Sequence, residues 1–293
     1  IVVLSLFLAY ILSTILVMPL ARVTKAIEDL TDGYQQDEIC VPDYTETELI
    51  TDAFNKMLAR MKVLDESRSE FVSNVSHELK TPMTSMKVLA DSLVGQHGVP
   101  EDLYQEFMRD ITAEIDRENR IITDLLTLVK MDKKNADLQI QHMSINQLLE
   151  DILKRLRPIA DKRNIDLILD SFRPVEADVD ELKFTSAISN LVENAIKYNV
   201  DDGWVRVSLD ADHKFFYVTV ADSGMGIPED SLSRIFERFY RVDKSHSREI
   251  GGTGLGLAIT RSTIGMHHGV IKVFSKEGEG TTFSVRVPLS YIP

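Results

Sequence analysis

The stretch Phe71-Val-Ser-Asn-Val-Ser-His-Glu-Leu-Lys-Thr-Pro82 decides how this chain is organised. Upstream of it, apolar residues recur alternately four and three positions apart, as in the seam of a coiled coil. They are Ile50, Phe54, Met57, Met61 and Leu64, and the seam continues through Phe71 and Val75. The pattern predicts one long helix that carries His77 and ends near residues 95–98, where glycines interrupt it.

A second helix is predicted after Pro100, because apolar residues again follow helical spacing there. They are Leu103, Phe107, Ile111, Ile115, Ile122, Leu125 and Val129. Since the core of one helical hairpin is too small to stand alone, we expect two chains to form a four-helix bundle, and hence a homodimer. Pro82 cannot donate to the carbonyl of Glu78, which predicts a bend just after His77.

Residues 1–21 contain no charged side chain and are long enough to cross a hydrocarbon layer of about 30 Å. We therefore predict a transmembrane helix over residues 1–21, with Arg22 and Lys25 on the cytoplasmic side. A buried core helix is the alternative. Because the chain starts inside this apolar run and lacks an initiator Met, we expect a truncated protein and no signal peptide.

Residues 19–64 contain two short amphipathic segments joined by a polar stretch through Gly33 and Pro42. The first segment places Leu20, Val23, Ile27 and Leu30 on one face, and the second is the seam that starts at Ile50. Two such segments directly after a membrane span resemble a HAMP signalling linker.

The pattern changes to mixed helix and strand after the polar run at residues 132–137. Helical periodicity marks residues 145–159 and 182–198, while alternation marks residues 204–209, 216–220, 270–274 and 282–287. We therefore predict a separate α/β layered domain over residues 138–290.

Charge and cysteine content exclude several classes of protein. The formal net charge of −13 repels polyanions, so nucleic-acid binding is not expected. The single cysteine, Cys40, permits no intrachain disulfide and offers no metal-ligand pattern, which suits a reducing cytosol.

The string His77-Glu-Leu-Lys-Thr-Pro82, placed in the first helix of a predicted hairpin, resembles the phospho-acceptor box of bacterial sensor histidine kinases. Imidazole is largely neutral and nucleophilic at cytoplasmic pH, which suits an attack on phosphorus. The resemblance implies that Glu78 holds one ring nitrogen; a solvated helix glutamate is the alternative. Thr81 lies one turn beyond His77, where its hydroxyl can orient water for phosphatase activity; an inert exposed threonine is the alternative.

Residues 190–198 and 222–227 resemble two ATP-binding boxes of the fold shared by histidine kinases, gyrase and chaperones. The resemblance implies that Asn194 binds Mg²⁺, that Asn190 assists the metal and the phosphates, that Lys197 contacts phosphate, and that Tyr198 packs near the nucleotide. Asp222 would accept a hydrogen bond from the adenine amino group, within a glycine box that includes Gly224, Gly226 and Ile227. A simple turn is the alternative for that box.

Residues 235–241 and 251–256 bracket a segment rich in glycine and charge that resembles the ATP lid of these proteins. Candidate nucleotide contacts there are Phe236, Arg238, Arg241, Gly252, Thr253, Gly254, Leu255 and Gly256, with Lys244 as a further lid cation. The helix predicted over residues 257–266 would present its N-terminus to the phosphates. Residues 278–283 resemble the last glycine box and include Thr282; we also expect a hairpin turn there. One departure is His267-His268-Gly269, where relatives commonly show His-Gly-Gly, which puts the local turn geometry in doubt.

The combined resemblance covers essentially the whole chain and implies a bacterial sensor histidine kinase at the cell membrane with its catalytic domains in the cytoplasm. We expect a transmembrane helix over residues 1–21, a HAMP-like linker over 19–64, a dimerisation and phosphotransfer domain over 65–132 and an ATP-binding domain over 138–290. ATP and Mg²⁺ would phosphorylate His77, and the phosphate would pass to an aspartate in the receiver domain of a response regulator. A gyrase- or chaperone-like ATPase would not need the His77 box, and a catalytically silent scaffold would have lost box residues.

Overall fold

The computed structural model describes residues 2–31, 45–94, 100–131, 138–242 and 252–292. The chain divides into two units, Ile1–Ser73 and Asn74–Pro293. The first unit consists of helix α1 (Val2–Thr31) and the start of helix α2 (Thr45–Val94). Among the described residues, no helix has a stretch that is both long and apolar enough to cross a membrane. The transmembrane helix predicted over residues 1–21 is therefore not supported.

The HAMP-like linker stays a prediction. The polar stretch at residues 32–44, which holds Gly33 and Pro42, lies outside the described residues, and so do the side chains of Leu20, Ile27 and Leu30. Val23 is buried, but Met57, Met61 and Leu64 of the second amphipathic segment are exposed on the single chain.

The prediction of one long helix through His77 is confirmed. Helix α2 runs without interruption from Thr45 to Val94 and contains Pro82 in its interior. Helix α3 (Glu101–Met131) follows, and its first turn closes with a hydrogen bond from Tyr104 N–H to the Pro100 carbonyl. These two helices are the predicted hairpin, while the bend at Pro82 stays a prediction.

Helix α3 buries a different stripe from the one that its apolar spacing emphasises. Ile121 and Leu128 are buried, whereas the predicted seam residues Ile115, Ile122 and Val129 are exposed on the single chain. Leu128 is covered by Leu255, Ala258 and Ile259, which come from the other end of the sequence. Leu125, which the spacing did predict, packs against the same cluster. Periodicity identifies an apolar residue but not which neighbour will cover it, so the sequence did not predict this second contact face.

The second unit continues with an α/β domain whose three longest helices and four longest strands match the prediction, whereas the four-residue helix Glu229–Leu232 was not predicted. Its helices are α4 (Ile145–Asp161), α5 (Glu181–Lys197), α6 (Glu229–Leu232) and α7 (Gly256–Met266). Its strands are β1 (Ile140–Ser144), β2 (Asp166–Ser171), β3 (Glu176–Asp180), β4 (Trp204–Ala211), β5 (Phe215–Asp222), β6 (Val270–Lys276) and β7 (Gly280–Pro288). The sequence missed β1, β2 and β3, which are only five or six residues long.

The main sheet has the strand order β2-β4-β5-β7-β6, with β2 and β4 parallel and the remaining neighbours antiparallel. Strands β1 and β3 form a separate antiparallel pair. Alternate residues of β4, β5 and β7 are buried on the face that α4 and α5 cover, as expected for a sheet with one face in the core. Phe184 of α5 meets Phe216 of β5 edge to face, with 5.6 Å between ring centroids. The packing fixes α5 above β5, and these two elements carry the first two predicted boxes.

Candidate active site

The apolar face of α5 explains why its polar face is held in one place. Phe184, Ile188, Leu191, Ala195 and Ile196 are all buried, so the helix cannot rotate without exposing them. On the other face, Asn190 Nδ2 lies 3.4 Å from the Gly256 carbonyl oxygen at the start of α7. Asn194 is half-buried, and its side chain makes no hydrogen bond to another described residue. Its amide oxygen is therefore available to a ligand.

Asp222 is a buried carboxylate at the end of β5. Its Oδ1 accepts hydrogen bonds from Gly224 N–H at 2.8 Å and from Thr281 N–H at 3.2 Å. Burial raises the pKa of this carboxyl, and the two hydrogen bonds oppose the rise. Because a carboxylate has about four acceptor sites, it keeps capacity for a further donor, as recognition of an amino group requires.

The last glycine box meets Asp222 through a residue that the sequence reasoning missed. Thr281 contacts the carboxylate, whereas the predicted Thr282 is paired across the sheet with Ala221 and Phe274. The box also forms the turn between β6 and β7, as expected. Only the register of β7 against β5 distinguishes these two adjacent threonines.

The loop after Asp222 packs closely against the segments on either side of it. Gly224 lies so close to the Tyr198 carbonyl that no side chain would fit, and Gly226 has a positive φ of 71°. Met225 N–H donates to the Tyr198 carbonyl at 3.1 Å, and Ile227 N–H donates to Ser275 Oγ at 2.8 Å. The backbone of the first glycine box is therefore held by hydrogen bonds on both sides.

Lys197 and Tyr198 lie at the end of α5, with the Lys197 ammonium 5.2 Å from the centre of the Tyr198 ring. A side chain on Gly252 would stand 2.7 Å from Lys197 Nζ, so glycine leaves room for this cation beside the glycine-rich segment. Burial, helped by the charges of Arg241 and Arg120, lowers the pKa of Lys197 to about 8. A bound anion would favour its charged form.

The predicted lid residues have different surroundings. Phe236 packs edge to face against Phe283, and the Arg261 guanidinium lies over its ring, so Phe236 supports the core. Arg238 is exposed and Arg241 is half-buried. Lys244 and Gly251 fall outside the described residues.

The second glycine-rich segment faces helix α3 as well as α5. The side chain of Leu255 is fully buried and packs against Leu128, and its predicted nucleotide contact stays a prediction. Thr253 donates its hydroxyl to the Asp124 carboxylate of α3 at 2.9 Å. Burial raises the pKa of Asp124, and the Thr253 hydrogen bond opposes the rise. No sequence pattern indicated Asp124, because it lies 129 positions from Thr253.

The departure from the family pattern near α7 has a structural consequence. His268 adopts a positive φ of 57°, a conformation that glycine tolerates better, and its ring stacks on Tyr291 at 5.2 Å. The neighbouring His267 is buried, and its Nε2 accepts a hydrogen bond from Asp180 N–H. The stacking of His268 and the hydrogen bond of His267 therefore stabilise this turn, although it lacks the second glycine of the family pattern.

His77 is exposed on α2, and Glu78 beside it is half-buried. The Thr81 hydroxyl donates to the His77 carbonyl oxygen at 3.0 Å, so its oxygen can still accept. Among the described residues, no hydrogen bond joins His77, Glu78 or Thr81 to the nucleotide boxes. The structure thus brings the ATP boxes together around α5 and β5 but leaves the phospho-acceptor separate from them.

Two family models match the chain. Residues 67–134 match HisKA, the His Kinase A phospho-acceptor domain. Residues 179–291 match HATPase_c, the histidine kinase-, DNA gyrase B- and HSP90-like ATPase. The two segments coincide with the helical hairpin and with most of the α/β domain.

Curated proteins are similar to most of this chain. The sensor histidine kinase WalK of Bacillus subtilis is 35% identical over 228 residues, which are 77% of this chain and 37% of WalK. The sensor-like histidine kinase SenX3 of Mycolicibacterium smegmatis is 35% identical over 225 residues, which are 77% of this chain and 58% of SenX3. The chain thus spans between about a third and three fifths of the length of these relatives.

A solved structure shares the fold. The histidine kinase ThkA in complex with the response regulator protein TrrA aligns with a TM-score of 0.63 and 24% identity, covering 85% of this chain and 68% of that one. At this identity the likeness concerns the fold alone.

Proposed function

We propose that this chain, which belongs to the sensor histidine kinases by its phospho-acceptor and ATPase domains, moves the γ-phosphate of ATP to His77 and then to an aspartate of a response regulator. The observation that carries the proposal is the meeting of the predicted ATP boxes. Asn190 lies within hydrogen-bond distance of Gly256, Tyr198 accepts a hydrogen bond from Met225, and Asp222 accepts one from Thr281, although the boxes are far apart in sequence. The same chain carries the His77 box.

In the proposed reaction, a ring nitrogen of His77 attacks the γ-phosphorus in line, and the bond from that phosphorus to the bridging oxygen of ADP breaks. The resulting charge is offset by Lys197 and by backbone N–H groups around Gly252 and Gly254. Glu78 accepts the hydrogen of the other ring nitrogen and so fixes the tautomer. A receiver aspartate then takes the phosphoryl group and regenerates His77.

The residues on the polar face of α5 fit a magnesium ion. Mg²⁺ prefers oxygen ligands and usually bridges substrate phosphates, and Asn194 presents an amide oxygen that no other described residue engages. Asn194 would hold the ion, and Asn190 would assist. When bound, the ion neutralises phosphate charge.

A second copy of the chain and a response regulator are the proposed partners. Apolar side chains such as Met83, Val88, Ile115 and Ile122 are exposed on the single chain, and a second copy would cover them in a four-helix bundle. We assign residues 65–132 to this dimerisation domain, 138–290 to the ATP-binding domain and 19–64 to a HAMP-like linker. The response regulator partner follows from the proposed reaction, and ThkA, which shares the fold, was solved in complex with a response regulator protein.

We propose that Thr81 is needed for phosphatase activity but not for kinase activity. Its hydroxyl lies one turn past His77 and can orient a water without touching ATP. We expect Thr81→Ala to keep autophosphorylation within a few-fold but to slow dephosphorylation of the phospho-regulator by roughly 10²-fold. Both rates are measured on the same preparation with purified phospho-regulator.

Thr84→Ala is the matched control for this experiment. Thr84 is an exposed threonine of the same helix whose hydroxyl also donates to a carbonyl four residues back, that of Lys80. Its replacement should leave both rates unchanged. Equal loss of both activities in Thr81→Ala would indicate a distorted helix near Pro82 and would contradict a separate phosphatase role.

The low pKa of Lys197 predicts how ATP binding depends on pH. Below about pH 8 the amine is protonated and ready to meet phosphate, and above it the free protein must take up a proton to bind. We therefore expect a constant Kd for ATP between pH 6.5 and 7.5 and a rise that approaches tenfold per pH unit well above pH 8. Lys197→Arg, which stays charged, should give a flat profile in the same titration. Parallel profiles for the two proteins would refute the assignment.

A further inference from the structure

Arg163 lies in the turn between α4 and β2, outside every box that the sequence singled out. Its guanidinium donates to three backbone carbonyl oxygens at the end of α5. Nη1 donates to Ile196 and Lys197, each at 2.9 Å, and Nη2 donates to Asn199 at 2.8 Å. The same group forms an ion pair at 3.1 Å with the exposed carboxylate of Asp201.

Two of these acceptors, the Ile196 and Lys197 carbonyls, belong to the last turn of α5, where no residue four positions on continues the helix, and Asn199 directly follows the C-cap Tyr198. The last carbonyls of a helix point outward and carry partial negative charge, so a cation bound there is favourable. A planar guanidinium can donate to several of them at once, which an ammonium cannot do with the same geometry. Arg163 therefore fixes the direction in which the chain leaves α5.

The contact between the two turns is reciprocal. Asp202 N–H donates to the Arg163 carbonyl at 3.3 Å, and Asp166 N–H donates to the Gly203 carbonyl at 2.9 Å. The α4–β2 turn and the α5–β4 turn are thus joined by backbone and side chain together. This makes the first turn a rigid support for the second.

Where the chain leaves α5, Tyr198 and Asn199 form the contacts between the first two ATP boxes. The Tyr198 carbonyl accepts from Met225 N–H at 3.1 Å, and Asn199 Oδ1 accepts from Ser223 Oγ at 3.0 Å. Met225 and Ser223 belong to the loop that follows Asp222. A displacement of Tyr198 and Asn199 would therefore move Asp222 relative to the polar face of α5.

We propose that Arg163 is a positioning residue that holds residues 196–199 between the two halves of the nucleotide site and thereby sets ATP affinity and the preference for adenine. The inference rests on the proposed ATP-binding function. Arg163 acts through the turn and not on the phosphates, so binding should suffer more than the rate at saturating ATP.

The test compares Arg163→Met and Arg163→Lys with Arg173→Met in the purified 293-residue chain. Arg173 is a matched control, because its guanidinium makes an exposed ion pair with Asp210 and does not contact the turn. Titration gives Kd for ATP and for GTP. The autophosphorylation rate is measured at saturating ATP, and circular dichroism reports folding. We expect Arg163→Met to raise Kd for ATP about 10- to 100-fold, with the rate within about threefold. The preference for ATP over GTP should shrink, Arg163→Lys should recover part of the affinity, and Arg173→Met should match the unmodified chain.

Several outcomes would overturn the inference. If Arg163→Met lowered the melting temperature but left Kd and the nucleotide preference unchanged, Arg163 would serve folding only. An equal effect of Arg173→Met would mean that any lost surface arginine weakens binding. Should Arg163→Met fail to fold, Arg163→Lys decides, and an unchanged Kd in that variant contradicts the role. An unmodified chain that bound no ATP would overturn the proposed function itself, which the Arg163 variants alone cannot do.

Discussion

Replacing His77 with alanine should abolish autophosphorylation completely, because no other group in the proposed reaction carries the phosphoryl intermediate. The chain from Asp65 onward, incubated with Mg-ATP labelled at the γ-phosphate, should gain a label that is lost in acid and stable in base, as expected of a phosphorus–nitrogen bond. In His77→Ala that label should be absent. His77 is exposed on α2, so the change should cost little stability.

His213→Ala is the control for this measurement, since His213 is another exposed histidine, located in the turn between β4 and β5. It should retain full labelling. A label that survives in His77→Ala would show that the phospho-acceptor is a different residue. The assignment of His77, on which the proposed kinase reaction depends, would then be wrong. Equilibrium binding of ATP to His77→Ala should be unchanged, which shows that the nucleotide site is intact.

Asn194→Ala should eliminate turnover of Mg-ATP in the homodimer, with a loss of at least about 10³-fold in autophosphorylation rate. Asn194 projects from the polar face of α5 with an amide oxygen that no described residue engages. Without it, Mg²⁺ would lose a ligand at the phosphates and their charge would be poorly offset. Asn194 is only half-buried and alanine favours helix, so α5 should still fold.

A mixed dimer shows whether the rest of an Asn194→Ala subunit is intact. We expect an unmodified partner subunit to phosphorylate His77 of the variant in trans, so label should appear on the variant chain. Asn119→Ala, an exposed asparagine on α3, is the control and should behave as the unmodified protein. Full autophosphorylation by an Asn194→Ala homodimer would show that the metal-site assignment is wrong.

The sequence was sufficient where one short segment carries its own physical signature. The apolar face of α5 follows from helical spacing, and each of its residues from Phe184 to Ile196 that was predicted to pack is buried. The long alternating strands β4, β5 and β7 follow in the same way, since a sheet with one buried face repeats every two residues. The short strands β1, β2 and β3 were not predicted, because five or six residues give too few repeats to distinguish a strand from a loop.

Site residues could be named from sequence only when they lie inside a recognisable box. Thr281 and Thr282 are adjacent in one box, and strand register alone decides that Thr281 N–H meets Asp222. Leu255 lies in a glycine-rich segment and was expected to line the nucleotide, yet it is buried against Leu128 of α3. A sequence pattern indicates which residues are close to a site but not which way each side chain faces.

By itself, the sequence determined the order of the longer elements, the helical hairpin with His77, the α/β domain and the positions of its boxes. Those properties depend on local spacing and on residue types that are close together in the chain. Only the tertiary structure decided which groups meet: Asp124 with Thr253, Asp222 with Thr281, and Arg163 with the carbonyls at the end of α5. The physical reason is that a hydrogen bond between distant segments depends on the packing of whole elements, and no local pattern records that packing.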